Sequence, residues 1–349
     1  MIQGVTVRVA VTGGAGFLGS HLCLSLLARG DHVICVDDLS TGRAENVSTL
    51  QQNENFLFLH QDVSRGLDVE GGLDVVAHLA SPASPVDYHR LPLHTLATGS
   101  RGTENALGLA KKAGARFLLA STSEVYGDPL EHPQREKYYG NVSSTGPRSV
   151  YDEAKRFSEA ITMAYARTLD VNAGIVRIVN TYGPLMRADD GRVVSSFIVQ
   201  ALNGDPLTIY GNGEQTRSFC YVGDLVRGLL AMIDSNERGP INLGNPSEVT
   251  VFELAQLVLG VTQSESSIEF YPIPTDDPGR RCPDIASATR HLSWEPRISI
   301  EEGVRRTVDY FRRQHREVSE ASEALRGPQT VGLTADAGLH EANWLSQSL

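Results

Sequence analysis

Tyr151 and Lys155 stand four residues apart in the stretch Pro147-Arg148-Ser149-Val150-Tyr151-Asp152-Glu153-Ala154-Lys155. On a helix that spacing puts both side chains on one face, one turn apart. An ordinary phenol titrates near pH ~10, roughly three units too high for a base at neutrality. An ammonium one turn away favours the phenolate, which would make the pair a proton acceptor for an alcohol. The spacing also recurs by chance in unrelated helices, so its meaning depends on its surroundings.

The elements that must position the pair read as strands alternating with helices. Val7–Thr12 is a buried strand, and Gly13-Gly14-Ala15-Gly16-Phe17-Leu18-Gly19 follows at once. The spacing is G-x-x-G-x-x-G, not G-x-G-x-x-G, yet it allows the same tight turn and close backbone approach to a pyrophosphate at a helix N-terminus. A second strand, His32–Val36, ends at Asp37 and Asp38. A carboxylate there accepts hydrogen bonds from ribose hydroxyls and repels a 2′-phosphate, which predicts NAD over NADP. Arg43, slightly beyond, offers a competing charge to a phosphate. Asn55–Leu59 is a third strand with Asp62-Val63 at its exit, placed to meet an adenine, and Leu73–Leu79 is a fourth, ending in Ala80-Ser81-Pro82-Ala83-Ser84 near the middle of the cofactor. Helix-like sequence runs from Leu93 to Ala113, followed by a fifth strand, Arg116–Ala120. This alternation predicts an α/β fold, a Rossmann-type doubly wound parallel sheet.

Ser121-Thr122-Ser123-Glu124-Val125-Tyr126-Gly127 leaves the fifth strand at its carboxyl end, where open α/β sheets place their ligands. The Thr122 hydroxyl suits a substrate oxygen shared with Tyr151, and Glu124 brings a carboxylate. Taken alone, the same loop also reads as a helix cap or polar turn. After a sixth strand, Val171–Ile178, and Asn180, the alternation fades. Val193–Asn203, Gly223–Asp234 and Val251–Leu259 read as helices, and Leu207–Tyr210, Ile241–Leu243 and Ile268–Tyr271 as short strands. These pieces are expected to form a smaller C-terminal α/β lobe that binds substrate. Ile300–Gln314 is a final amphipathic helix, and residues 316–349 form a polar extension with few large apolar residues. The expected division is 1–179 for the dinucleotide domain with the Tyr/Lys helix, 180–315 mainly for the substrate lobe, and 316–349 for the extension.

Composition narrows the classes of partner. Of 349 residues, 41% are hydrophobic and 21% charged, ordinary for a soluble globular protein, and the formal charge of −11 argues against nucleic acid or an anionic membrane. No apolar run approaches a membrane span and no signal peptide is evident, so neither is expected. The four cysteines, Cys23, Cys35, Cys220 and Cys282, form no C-x-x-C pair, so neither a metal site nor a disulfide framework is expected and a cytoplasmic location fits.

Together, the glycine loop, Asp37, Asp62, Thr122, Tyr151 and Lys155 resemble the extended short-chain dehydrogenase/reductases that act on nucleotide sugars, over roughly Val7 to Arg313. More narrowly, the chain resembles the UDP-glucuronate decarboxylases (UDP-xylose synthases). The residues that carry this are Ala83-Ser84-Pro85, Thr122 through Pro129, Glu131-His132-Pro133, Gly146-Pro147-Arg148, Asn180 through Pro184, Asp190-Gly191-Arg192-Val193-Val194, Gln215 through Phe219, and Asp276-Asp277-Pro278 with Arg281 and Pro283-Asp284.

The resemblance implies NAD, held by Gly13, Gly16, Phe17, Leu18, Gly19, Asp37, Asp38, Arg43, Asp62, Val63, Leu79, Ala80, Tyr151 and Lys155. It implies a UDP-sugar, UDP-glucuronate, met by Pro85, Glu124, Asn180, Arg192, Val194, Tyr210, Arg217 and Arg281. Guanidinium groups match phosphate and carboxylate oxygens bidentately, which suggests Arg217 and Arg281 for the diphosphate and Arg192 for the sugar carboxylate. The implied reaction is oxidation at C4, loss of carbon dioxide and re-reduction, with Thr122, Tyr151 and Lys155 catalytic and Glu124 serving the sugar or a water. A homodimer is implied as well.

One residue separates subfamilies on physical grounds. Related 4,6-dehydratases carry Thr-Asp-Glu where this chain has Thr122-Ser123-Glu124, and only the aspartic acid can protonate a leaving hydroxyl near neutrality. The chain also departs from the pattern: Gly99 replaces a usual asparagine, Ser81 a common cysteine, Ser196 a common asparagine and Cys282 a common lysine. The open alternatives are a 4-epimerase or 4,6-dehydratase, a decarboxylase that releases the 4-keto pentose, and an NAD-sensing protein without activity. Intact Thr122, Tyr151 and Lys155 argue against the last.

Overall fold

Six strands supply most of a parallel sheet: β1 (Arg8–Thr12), β2 (His32–Asp37), β3 (Phe56–His60), β4 (Val75–His78), β5 (Arg116–Thr122) and β6 (Ala173–Ile178). Their side chains alternate between two cores, as the two-residue period of a strand requires. Val9 and Val11 of β1 enter one core while Ala10 enters the other, and Leu118 of β5 opposes Phe117 and Leu119 in the same way. Burial on both faces explains why these segments read as continuous apolar runs. The computed structural model describes residues 6–273 and 280–326, with side chains as far as 316. Asp276-Asp277-Pro278 and residues 327–349 lie outside the described residues. The chain divides into two units, Met1–Phe311 and Arg312–Leu349.

The strand order, from one edge, is Ile241–Leu243, β6, β5, β4, β1, β2, β3, all parallel. This is the doubly wound Rossmann-type sheet expected from sequence. Thr12 lies opposite both Val36 and His78, and Thr122 lies opposite Ile178, so the carboxyl ends of the central strands finish level. The loops that carry the candidate residues therefore open onto one edge.

Two expected elements sit elsewhere than the sequence suggested. The Ile241–Leu243 strand pairs with β6 as the seventh strand of the main sheet, although its sequence had placed it in the smaller lobe. The Val222–Ile233 helix likewise packs its Val222, Leu225, Val226, Leu229, Met232 and Ile233 face into the core that holds β1 and the Phe17–Arg29 helix. A three-residue strand buried on both faces carries no periodicity that assigns it to a layer. The segment read as one helix from Leu93 to Ala113 is two, Pro92–Ala97 and Thr103–Ala113, joined by a π-helical turn at Thr98–Gly102.

The smaller lobe has its own apolar core, built from Val194, Phe197, Ile198, Leu207, Ile209, Leu254, Val258, Val304, Val308 and Phe311 among others. Its three-stranded sheet joins Glu248–Thr250, Thr216–Ser218 and Arg280–Arg281. The Ile300–Arg326 helix contributes its early turns to that core.

The lobes are tied to the main sheet through Asn242, which is fully buried. Its Oδ1 accepts from the Tyr126 hydroxyl (2.7 Å), and its Nδ2 donates to the Gln134 and Asp284 carbonyls (3.0 Å each). Burial pushes the Tyr126 phenol up to about 12, so it remains a donor throughout the working pH range. Asn242→Ala leaves the Tyr126 hydroxyl proton and the Asp284 carbonyl without their partner and removes one of two donors to the Gln134 carbonyl, which keeps the Asp284 amide. It should lower the unfolding free energy by about 2–4 kcal/mol, read from the midpoint of urea unfolding; a loss under about 1 kcal/mol would show that this network does not hold the lobes.

Candidate active site

The glycine loop is built for a close neighbour. Gly13 sits at φ +70°, and a Cβ there would lie 2.7 Å from the Ala80 nitrogen; at Gly19 it would lie 2.0 Å from the Gly13 carbonyl oxygen. Gly16 caps the Phe17–Arg29 helix in an extended conformation with no capping side chain of its own, and this helix N-terminus opens onto the cleft. That is the arrangement that receives a pyrophosphate.

Asp37, at the end of β2, is buried, and its two oxygens accept from the Ala15 and Leu39 amides at 2.9 Å each. Burial nonetheless raises its carboxyl above the ordinary value. Asp38 faces His94 at 3.1 Å, and these two cluster with Asp62. Burial opposes ionisation of Asp62, but the Ser64 hydroxyl and amide (2.7 and 2.9 Å) outweigh it and hold the carboxyl low. Arg43 is not part of the cleft lining: its guanidinium reaches Asp189 at 3.6 Å.

Tyr151 and Lys155 lie on the Ser149–Thr168 helix, both buried, with the lysine nitrogen 5.9 Å from the centre of the tyrosine ring. Lys155 donates to the Ala120 carbonyl (2.9 Å), and Thr122 lines the same cleft as Tyr151. The Tyr88 ring stacks on Tyr151 at 5.3 Å and 9° between planes. Burial governs both titrations. It pushes the phenol well above its ordinary range, aided by the charge of Glu124, and draws Lys155 down to about 8. Burial thus opposes the phenolate that the Tyr151–Lys155 spacing predicts, by disfavouring the charged form of each group. A cation bound against the ring would move the balance back toward phenolate.

Glu124 has the opposite fate. Desolvation works against its charge, yet Arg281 and Arg148 together more than offset it and take the carboxyl down to about 2. Arg148 approaches one oxygen at 2.5 Å and Arg281 engages both. Asp152, next to Tyr151 on the helix, has a buried oxygen with no partner and is pushed up to about 7, first by burial and then by Glu124. It opens onto a neighbouring recess with Arg148, Arg281 and Ser143.

The cleft is lined by Gly13, Gly16, Phe17, Leu18, Gly19, Asp37, Asp38, Val63, Leu79, Ala80, Thr122, Glu124, Tyr151, Lys155, Asn180 and Arg192, which brings most of the sequence-derived residues together. Arg192 lies over the Phe17 ring and is held by Asp190 at 2.5 and 2.8 Å. The Asn180 side-chain nitrogen is buried without a partner and belongs to the cleft lining. Pro85 opens the short Pro85–Arg90 helix behind Ser84, Asp62 stands behind Asp38, and Val194 packs in the core of the smaller lobe. Tyr210 is half exposed beside Tyr271, and Arg217 pairs in register with Arg281.

Sequence reasoning missed three contributors. Tyr88 and Arg148 act through Tyr151 and Glu124. Arg187 crosses the cleft to Asp87 at 3.0 Å, and Asp87 also takes the Ser84 hydroxyl at 2.8 Å. The hundred residues between Asp87 and Arg187 leave no local signal; Arg148 sat in the quoted motif and could have been paired with Glu124 on charge alone.

The ion pairs of Glu124 set a pH dependence. Its folded carboxyl titrates near 2 against an ordinary 4.5, so on acidification the unfolded chain takes up the proton first. The stability it contributes is complete above about pH 4.5 and is lost as pH falls toward 2. Glu124→Gln should be less stable than the parent at pH 6 and should lose less on acidification through that window. Parallel acid slopes in unfolding midpoints measured from pH 5 downward would exclude this role.

Comparison with known proteins agrees with this geometry. Residues 9–244 match the NAD dependent epimerase/dehydratase family. The chain is 53% identical over 306 residues to UDP-glucuronic acid decarboxylase 1 of Arabidopsis thaliana, covering 88% of this chain and 70% of that one. It is 51% identical to UDP-glucuronic acid decarboxylase 1 of Danio rerio, covering 88% and 73%. Among solved structures it resembles the dTDP-glucose 4,6-dehydratase DesIV of Streptomyces venezuelae, determined with NAD bound, at a TM-score of 0.80 and 28% identity over 89% of this chain and 98% of that one. With the glycine loop, the Tyr151–Lys155 pair and the Thr122 hydroxyl gathered at one sheet edge, the chain belongs to the NAD dependent epimerase/dehydratase family.

Proposed function

We propose that this protein is a UDP-glucuronate decarboxylase that uses NAD and returns it unchanged, giving UDP-xylose. The observation that carries the reading is the absence of a usable acid in the Thr122-Ser123-Glu124 loop. Ser123 is buried in the cleft with a hydroxyl that does not ionise near neutrality, and Glu124 is held as carboxylate by two arginines. A dehydratase must protonate a leaving hydroxyl at this point, whereas a decarboxylase needs only somewhere for electrons to rest.

NAD fits the residues present, since the Gly13 and Gly19 contacts leave no room for a Cβ and the helix N-terminus behind them opens onto the cleft. Gly13 through Gly19 would hold its pyrophosphate, Asp37 and Asp38 a ribose, and Asp62-Val63 the adenine. When bound, NAD accepts a hydride from the sugar C4 and gives it back.

Tyr151, as the phenolate that a positive charge bound in the cleft would favour, would take the C4 hydroxyl proton, with Thr122 beside it in the cleft. The resulting ketone is β to the C5 carboxylate, so the C5–C6 bond breaks, carbon dioxide leaves and its electrons form an enolate. Thr122 and Tyr151 hydroxyls stabilise that oxygen. C5 then gains a proton, and Tyr151 returns one to the C4 oxygen. We assign Arg192, at the cleft wall, to the sugar carboxylate, and Asn180, Tyr210 and Arg217 to the nucleotide diphosphate, with Pro85 and Val194 shaping the sugar pocket. Arg281 offers its unpartnered Nε to the diphosphate while it holds Glu124. Glu124 orients the sugar or a water.

The test is incubation with UDP-glucuronate and NAD, followed by mass and NMR analysis of the sugar. UDP-xylose is expected. UDP-glucose should turn over at least tens-fold less well, because a lost charged hydrogen bond costs about 2–5 kcal/mol; comparable turnover, or a 4-keto-6-deoxy product, refutes the reading. Tyr151→Phe should fold and bind NAD yet lose about 10²- to 10⁴-fold in turnover. Near-normal activity would assign the proton transfer to another group.

We further propose a homodimer located in the cytoplasm. Leu93 (80% exposed), Leu96 and Phe157 lie on the Pro92–Ala97 and Ser149–Thr168 helices, whose union with a twofold mate would bury them in a four-helix bundle. The unbridged thiols of Cys23, Cys35, Cys220 and Cys282 support a reducing compartment. Light scattering should return twice the 37.8 kDa chain mass, and Phe157→Glu with Leu93→Glu should halve it; a monomeric parent at micromolar concentration counts against the dimer.

A further inference from the structure

His132, Glu248 and Cys282 come from three separate parts of the chain, yet one ligand atom of each lies within 4.8 Å of the other two. The group lines a surface recess with Pro133, Pro246 and Pro283, none of whose side chains offers a donor, away from the cleft that holds Tyr151. We propose that these three side chains form a binding site for a divalent cation of the zinc class.

The donor set is the first argument. One thiolate, one imidazole and one carboxylate, with a fourth position left to water, is a combination that suits zinc and its neighbours rather than magnesium or calcium. Spacing is the second. Across a tetrahedral zinc ion, ligand atoms stand about 3.3–3.8 Å apart. His132 Nε2 and Glu248 Oε2 are already 3.1 Å apart, so a small inward movement of Cys282 completes the triangle.

The third argument is that the ligands are held from behind. The Thr216 hydroxyl donates to Glu248 Oε1 at 2.5 Å, which turns the other oxygen toward His132. Gln134, buried, accepts from the Cys282 amide with its side chain and donates its own amide to the Cys282 carbonyl, both at 2.8 Å. Two residues after His132, it thereby locks the His132 loop to the Cys282 strand. Such supporting contacts orient ligands and raise affinity.

Two groups must yield when the ion binds. The Cys282 thiol, which now points to the Pro246 carbonyl at 3.3 Å, gives its proton to solvent. The Arg280 guanidinium, 3.0 Å from His132 Nε2 and 3.5 Å from Glu248, turns outward, and with 59% of its side chain exposed it has room. The consequence is a clamp. Glu248 begins one outer strand of the three-stranded sheet and Cys282 directly follows the other, which carries Arg281, so the ion would tie the two outer strands together on either side of the central strand that carries Arg217.

The test uses the full-length protein, stripped with chelator and titrated with Zn2+ against a chromophoric indicator, and separately with Co2+. One Zn2+ per chain at micromolar affinity or tighter is expected, together with a thiolate-to-cobalt charge-transfer band. Cys282→Ser should abolish the band, and both it and His132→Gln should weaken Zn2+ binding at least about tenfold. Neither residue touches the dinucleotide cleft, so retained NAD binding certifies both folds. Should Cys282→Ser fail that control, protection of the parent decides: Zn2+ should slow alkylation of Cys282 at least tenfold, mapped by mass spectrometry. Absence of Zn2+ binding below about 100 µM, a cobalt band that survives Cys282→Ser, or undiminished alkylation would each overturn the proposal.

Discussion

A buried carboxylate shared by two arginines fixes the relation between the parts of this site. Glu124 leaves the central strand β5, Arg148 precedes the Tyr151 helix, and Arg281 belongs to the smaller lobe, so a single side chain joins three elements. Any one of the three groups left alone would be an uncompensated charge in a dry setting, which is far costlier than the assembled set. Separating the lobe, loop or helix from the others would therefore leave one of these charges without its partner. The same pairing decides chemistry, because a carboxyl this acidic cannot serve as a proton donor.

Burial has an equally direct effect on the reacting groups. Water exclusion raises the phenol of Tyr151, lowers the ammonium of Lys155 and leaves His78 neutral, drawn down to about 3 by burial and by the nearby lysine. His78 is satisfied instead by hydroxyls: its two ring nitrogens meet Thr12 at 2.8 Å and Thr103 at 3.3 Å, and Thr103 in turn meets Ser158 at 3.0 Å. This buried network is thus uncharged but polar, while Lys155 and Arg192 are cations close to the tyrosine. Tyr151 and Lys155 are both shifted toward their neutral forms, and a positive charge entering the cleft would favour the phenolate.

Much of this was legible in the sequence because it rests on local constraints. The glycines at 13, 16 and 19, the strand-end acids and the Tyr151–Lys155 spacing are each short-range patterns whose geometry the backbone enforces. The strands of the main sheet announced themselves as apolar runs for the same reason. What stayed hidden depended on contacts between distant segments. Nothing local assigned Ile241–Leu243 to the main sheet, since three buried residues look alike in any layer. Nothing local joined Asp87 to Arg187, or His132 to Glu248 and Cys282. The burial of Tyr151, which opposes its phenolate, was hidden on a different ground: the one-turn spacing shows that a lysine is near, while the degree of burial is a property of the packed whole.

The departure at Gly99 shows how such a change is absorbed. Residue 99 lies in the π-helical turn, facing the Tyr151 helix, and a Cβ there would stand 2.7 Å from the Cβ of Ala154. An asparagine cannot share that space with alanine, so the glycine and the Ala154 methyl are one choice, not two. The hydrogen bonds of the turn are kept by other means. The Gly99 carbonyl accepts from Ser158 at 2.7 Å and from Thr103 at 2.8 Å, which anchors the turn to the helix through backbone oxygen. The substitution that looked like a loss in sequence makes room, in the packed structure, for the Ala154 methyl, one residue before the lysine that donates to the Ala120 carbonyl.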